Sequence, residues 1–329
     1  MTLISLGSKT MYIVPLEEIK PLVSPPDAIE AVHKAYVSFS KGLISQPQPM
    51  QMLFNESDGS FFGDCHVKAA QKDLHPYYVI KIASGFYKNT KQGLPANSGL
   101  SLIMSAKTGY PIAMLNDDGW LTQIRTAAAG ALAASLRPVG KDACVGIIRT
   151  GTQAYWQASF ISQHMGLKRI AIAGLSYESS EELCERLNRE LGITAVAMHS
   201  VKEVCQVSQI LVTVAPATQP IVTIDDLPES MHIIAVGADS PEKNEIDPHI
   251  TANADIIVTD DHQQCVHHGD FGVAVRAGLV EDDADISLPD LLAGKYPKTD
   301  FASAKITLVD LTGIGVQDLA IASLVVDKL

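Results

Sequence analysis

The stretch Cys144–Ser159, "CVGIIRTGTQAYWQAS", decides how the chain reads. Its first five residues are a short apolar run of the kind that forms a strand buried on both faces. A turn containing Gly151 follows, and then Ala154, Ala158, Ile161 and Met165 recur at helical spacing. Strand, glycine turn and helix in that order make the phosphate-binding turn of a dinucleotide fold, where a pyrophosphate sits on the helix N-terminus. Counted as G-x-G-x-x-G/A, the second glycine is Gly151 and the third position is Ala154, but Arg149 stands where the first glycine belongs. The other reading is a tight turn without a ligand. Arg149 either pairs with a phosphate or blocks its approach.

Working outward, five more apolar runs follow: "RIAIA" (169–173), "TAVAM" (194–198), "QILVT" (209–213), "HIIAV" (232–236) and "DIIVT" (255–259). Strands alternating with helices predict a doubly wound α/β domain over 138–303. After "RIAIA" come Gly174, Leu175, Ser176 and Tyr177, with no carboxylate for a ribose 2′-hydroxyl and no nearby arginine for a 2′-phosphate. NADH and NADPH are not distinguished.

Residues 1–137 read as an α+β domain. "PPDAIEAVHKAYVSFSKG" is an amphipathic helix stopping at Gly42, "YYVIKIASGF" and "GLSLIMSAKTGYPIAML" are strand-like, and "TQIRTAAAGALAASL" is a helix of small residues. The last segment, "ITLVDLTGIGVQDLAIASLVV", is strand, glycine turn and apolar helix, and periodicity leaves its domain open.

Three charged residues occupy apolar settings. Lys81 shares a strand face with Val79 and Ala83, where it is either desolvated and paired or snorkels from an edge. With Thr122 as N-cap, Arg125 lies in the first helical turn, where a cation makes sense if it and the helix end bind a carboxylate together. Asp117 or Asp118 is the alternative partner. Asp239 follows "HIIAVGA", past the C-terminal end of a parallel strand, where open α/β sheets bind ligands. A turn aspartate before Ser240-Pro241 is the plainer reading.

Composition sets limits. The 329 residues are 47% hydrophobic and 19% charged, with a net charge of −12 and no lysine/arginine stripe, which argues against nucleic acid as a partner. No apolar run reaches membrane-spanning length and no basic-then-apolar leader opens the chain, so a cytoplasmic protein is expected. Five scattered cysteines without CxxC read as reduced thiols. "DDHQQCVHHGDF" (260–271) gathers His, Asp and Cys but lacks a recognised zinc spacing, so it reads as a loop near the cofactor edge, and no metal is expected.

Together, "IKIASGFYKNTKQGLP", "IMSAKTGYPIAML", "LTQIRTAAAGALAA", "GIIRTGTQA", "AVGADSPEKNEID" and "GIGVQDLA" resemble the ornithine cyclodeaminase/mu-crystallin family over nearly the whole chain. The resemblance implies a Rossmann-type doubly wound parallel sheet over 138–303. It also implies an α+β substrate and dimerisation domain of 1–137, to which 304–329 return. It implies NAD(P)H as cofactor, a homodimer, and a small imino or amino acid as substrate. Lys81 becomes the catalytic lysine, Arg125 the carboxylate binder and Asp239 the acid/base group. Thr126, Arg149, Thr150, Gly151, Thr152, Gln153, Ala154, Ser176, Val236, Gly237 and Asp239 become the cofactor contacts. The family's second carboxylate-binding arginine falls near Pro49 here, and Lys68 or His66 is its candidate substitute.

The expected function is NAD(P)H-dependent reduction of a small 2-imino acid, cyclic like 1-pyrroline-2-carboxylate or open-chain like iminosuccinate, to the 2-amino acid. The alternatives are ornithine cyclodeaminase, which returns its hydride, and a non-catalytic binding protein like some mu-crystallin relatives.

Overall fold

In the computed structural model, which describes residues 2–6, 9–58 and 61–329, the apolar runs become strands and the periodic segments helices. The chain divides into two units: Met1–Arg125 with Ile314–Leu329, and Thr126–Gly313.

The first unit is built on a mixed sheet. Its strands are β1 (Thr2–Leu6), β2 (Lys9–Pro15), β3 (Ile44–Ser45), β4 (Met50–Asn55), β5 (Phe61–Lys72), β6 (Tyr77–Phe86), β7 (Asn97–Ser105) and β8 (Pro111–Asn116). The order is β1-β2-β8-β7-β6-β5-β3, with β4 also on β5. Between β2 and β3 lie α1 (Leu16–Ile19) and α2 (Pro25–Ser40). Ser24 caps α2 by accepting the N–H of Asp27, and Gly42, at φ 71°, ends the turn beyond it. The alternation of β6 is asymmetric: Tyr77, Val79 and Lys81 are buried, whereas Tyr78, Ile80 and Ile82 are half-buried. Helix α3 (Trp120–Ala134) follows β8 and carries the chain into the second unit.

The second unit has strands β9 (Cys144–Ile148), β10 (Arg169–Ala173), β11 (Thr194–Ala197), β12 (Ile210–Thr213), β13 (Met231–Ala235), β14 (Ile256–Thr259), β15 (Asp285–Ser287) and β16 (Ile306–Asp310). All pair in parallel, in the order β11-β10-β9-β12-β13-β16-β14-β15. The order reverses between β9 and β12, the topological switch point of a Rossmann-type sheet. Helices α4 (Thr152–Met165), α5 (Tyr177–Leu191), α6 (Val201–Val207), α7 (Pro248–Ala252), α8 (His262–His267), α9 (Asp270–Arg276) and α10 (Leu288–Leu292) connect them. The core gathers apolar residues of successive strands, including Ile148, Leu211, Ile233 and Leu308. The last helix, α11 (Gly315–Val326), belongs to the first unit.

Three expectations are corrected. The boundary falls at 125/126, inside α3, because the alanine-rich part of that helix is buried in the second unit. The return begins at 314 and not 304: β16 pairs with β13 and β14, so only the helix after the glycine turn goes back. The 260–271 segment is two short helices, α8 and α9, and not a loop.

Candidate active site

In the first unit, Lys68 of β5 and Lys81 of β6 are directly paired and share the sheet face covered by α11. Both are 4% exposed. A strand interior offers a lysine no route to water, so the edge-snorkelling reading fails for a central strand. Asp318 of α11 answers the charge: Lys81 Nζ lies 3.3 Å from its Oδ2, and Arg125 Nε lies 3.1 Å from its Oδ1. These are contacts of distance without hydrogen-bond alignment. Arg125 Nε and both Asp318 oxygens are buried and make no hydrogen bond. Arg125 Nη1 donates to Gln317 Oε1 at 2.5 Å, and Gln317 Nε2 in turn donates to the Tyr36 hydroxyl.

Burial, reinforced by the Arg125 and Lys68 charges, holds Lys81 far below an ordinary lysine, at about 7, although Asp318 pulls the other way. Burial also lifts Asp117 to about 6.

Asp117 sets the start of α3. Its Oδ2 accepts the Leu121 N–H at 2.7 Å, and Asp118 and Gly119 take φ of 51° and 79°. Thr122 is thus not the N-cap. The helix begins at Trp120, and Arg125 sits in its second turn, its partner being Asp318 and neither Asp117 nor Asp118. His66 is buried on the same strand face as Lys68, with Nε2 3.7 Å from Asp64 Oδ2. Met50 pairs with Val67, so Pro49 extends that register to the position opposite Lys68.

In the second unit, β9 runs into the turn at Arg149. Its N–H donates to Ala173 O at 2.8 Å, prolonging the ladder, and its φ is 102°. A side chain rarely adopts that conformation, so the turn keeps a glycine backbone without the glycine. Gly151, in contrast, has φ −74° and caps α4 without a side-chain contact. A Cβ built on it meets no atom within 4 Å, so the backbone there is open to a ligand. Ala154 is fully buried, as the third position of the fingerprint requires for close helix–strand packing. Thr150, Thr152 and Gln153 line the turn. Beside it, a Cβ on Gly174 would lie 2.7 Å from Thr150 Cγ2, and Ser176 caps α5 by accepting the Ser179 N–H. Thr126 supplies a carbonyl to Gln157 Nε2 at 3.1 Å.

Val236, Gly237 and Asp239 follow β13. Asp239 Oδ1 accepts from Lys243 Nζ at 2.5 Å. Behind them Glu245 is fully buried, and burial with the Asp270 charge holds its carboxyl well above the usual range. Asp260 accepts the N–H groups of Thr312 and Gly313, so the histidine-rich segment uses its acids to tie backbone. No group of three or more His, Cys, Asp or Glu among the described residues is arranged to hold a metal ion.

Sequence reasoning missed Asp318, Gln317, Lys243 and Glu245. For Asp318 the signal was present: a single acid in an otherwise apolar helix has to meet a cation.

The family model for ornithine cyclodeaminase/mu-crystallin matches residues 11–329. The chain belongs to this family. Among its relatives, an uncharacterised cyclodeaminase y4tK of Sinorhizobium fredii is 33% identical over 319 residues, 96% of this chain and 95% of that one. A solved archaeal alanine dehydrogenase dimer with bound NAD is 28% identical, with a TM-score of 0.85 over 97% of this chain and 95% of that chain. The iminosuccinate reductase of Paracoccus denitrificans, solved with NAD+, is 25% identical, with a TM-score of 0.84 over 96% of this chain and 95% of that chain. No helix among the described residues of this family member is long and apolar enough to cross a membrane.

Proposed function

We propose that the protein is an NAD(P)H-dependent reductase that converts a small 2-imino acid to the 2-amino acid. The observation that carries this reading is a cluster of buried cations, Lys81 and Lys68 paired on neighbouring strands and Arg125 sharing the Asp318 carboxylate with Lys81. Buried cations in such number suit a small anion, and a carboxylate would satisfy the Arg125 Nε that lacks a hydrogen bond. Relatives named alanine dehydrogenase and iminosuccinate reductase support the chemistry.

The turn residues fit a dinucleotide. The backbone at Gly151 is open, the first N–H groups of α4 lack a side-chain cap, and Arg149 adds a cation beside them. Arg149, Thr150, Gly151, Thr152, Gln153 and Ala154 would hold the phosphates, with Thr126, Ser176, Val236 and Gly237 as further contacts. When bound there, the cofactor would supply the hydride that reduces the imine. Arg125 and Lys68 bind the substrate carboxylate, Lys68 serving where the family's second arginine gives way to Pro49, with His66 beside it. Lys81 polarises the imine or orients the acid, and Asp239 delivers the proton to nitrogen. Asp318 keeps Lys81 and Arg125 compensated while no substrate is bound.

The protomer is proposed to pair with a second copy through the first unit's sheet. On the face away from α11, Val67, Ile80, Ile82, Leu100, Leu102 and Met114 are half-buried, and Met50 on the same face is 55% exposed. Ornithine cyclodeamination is the second reading, and the 33% identical relative named a cyclodeaminase favours the reaction type without naming its substrate. A panel of cyclic and open-chain imino acids, assayed for stoichiometric oxidation of NADH and NADPH, separates the two, because a cyclodeaminase consumes no net cofactor.

A further inference from the structure

The segment Gly237–Glu245, "GADSPEKNE", is pinned by its own side chains at two levels. At its base, Glu245 Oε2 accepts the Gly237 N–H at 2.6 Å and the Thr213 hydroxyl at 2.9 Å, while Oε1 accepts the Ala215 N–H. Gly237 has no room for a side chain: a Cβ would lie 2.2 Å from Ala215 O and 2.6 Å from Glu245 Cδ. Further out, Lys243 Nζ donates to Asp239 Oδ1. Glu245 is itself seated from behind. Asp270 Oδ1 accepts the N–H groups of Glu245 and Ile246 at 2.7 and 2.9 Å.

Glu245 and Asp270 are both fully buried, at 0% exposure. Two acids packed together away from water are unfavourable, and an apolar pair would fill the space more cheaply. What the acids provide is geometric. One carboxyl group gathers three donors from the C-terminal ends of β12 and β13, and fixes the backbone two residues before Asp239. Asp239, whose side chain is 38% exposed, is the group this arch presents.

We propose that Glu245, seated by Asp270, is a positioning residue for Asp239. This rests on the reading of Asp239 as the proton-handling carboxylate. A displacement of about 1 Å at a reacting group lowers rates about a hundredfold, so a carboxyl group at the chain's turning point has leverage that an apolar plug lacks.

Glu245→Gln keeps the size of the side chain but turns an amide NH2 towards one of the two backbone N–H groups. Steady-state kinetics of wild type, Glu245→Gln, Asp239→Asn and the double variant form the test. Glu245→Gln is expected to lower kcat at least tenfold with KM for the imino acid changed less than threefold. In the Asp239→Asn background it is expected to lower kcat less than twofold. Multiplicative losses overturn the proposal. Ile250→Ala, which loosens the same core without touching an N–H group held by Glu245 or Asp270, is the control, and an equal loss of kcat there also overturns it. If Glu245→Gln does not fold, Asp270→Asn replaces it. Hydrogen exchange reads the pin without activity: the 236–246 peptide is expected to exchange at least tenfold faster in Glu245→Gln, and the 143–149 peptide unchanged. Equal exchange of the 236–246 peptide contradicts the proposal. A wild type inactive on every imino acid instead removes the functional reading, and the exchange result still decides the pin.

Discussion

Lys81 of β6 and Asp318 of α11 meet at 3.3 Å, with Arg125 on the other oxygen of the same carboxylate. One acid thus stands between two cations that the proposed reaction uses. Removing Lys81 as Lys81→Met leaves Asp318 its arginine, so the fold is expected to survive while turnover falls roughly 10²–10³-fold, the range for loss of one group that stabilises developing charge. Steady-state rates, with cofactor affinity measured by fluorescence titration, check it. A variant that turns over within threefold of wild type removes Lys81 from the chemistry.

The Lys81 amine titrates at about 7, below its unfolded value of 10.5. If the ammonium form is the working one, kcat/KM for the free enzyme falls about tenfold per pH unit above 7. Stability moves the opposite way. Between 7 and 10.5 the unfolded chain holds the extra proton, so this residue's contribution rises with pH across that window. A pH–rate profile flat from 6 to 9 would show that Lys81 does not titrate in the reaction.

Arg149 carries a testable strain. At φ 102°, Arg149→Gly relieves about 1–3 kcal/mol and costs about 0.5–1 kcal/mol of unfolded-state entropy, so thermal stability is expected to stay level or rise. Cofactor affinity is expected to weaken or hold, since a charge-assisted phosphate contact contributes roughly 1.5–3 kcal/mol before entropy losses. Calorimetry with NADH and NADPH reads this. Tenfold tighter binding in the variant would make the arginine an obstruction.

His232 is buried between Thr307 Oγ1 and Ala133 O, and burial lowers it to about 4. The unfolded histidine binds its proton first, from 6.5 downward, so stability is lost as pH falls from 6.5 to about 4 and changes no further below. The loss is about 3 kcal/mol at most. Denaturant melts at pH 7, 5.5 and 4, compared with His232→Gln, measure it, and equal slopes in both proteins refute the assignment.

Light scattering checks the dimer. A species of twice the 35.3 kDa chain mass is expected, dissociating in Ile80→Glu, whose charge would fall on the apolar sheet face. A single-chain mass for wild type at micromolar concentration contradicts it.

Five of the six apolar runs from Cys144 to Thr259 were legible because a strand buried on both faces needs no partner to declare itself, whereas β11, at the sheet edge, buries Ala195 and exposes Thr194 and Val196. Ile306–Asp310 has the same character, yet its run gives no hint of its neighbours, since pairing is a long-range property. Lys81 and Arg125 stood out as charges among apolar residues. Their pairing with Asp318 did not, because that acid lies more than 190 positions beyond Arg125 and only folding brings α11 onto β5 and β6. The start of α3 was misplaced at Thr122 because the aspartate cap is followed by two left-handed residues, which no periodicity reveals. Glu245 and Asp270 escaped notice as ordinary acids, since burial cannot be read from residue type.

The most direct measurement is cofactor stoichiometry with iminosuccinate, 1-pyrroline-2-carboxylate and pyruvate plus ammonia as substrates. The account predicts that at least one is converted to its amino acid with one NAD(P)H oxidised per product. Conversion of ornithine to proline without net cofactor change, or no binding of either nicotinamide cofactor at millimolar concentration, would contradict it.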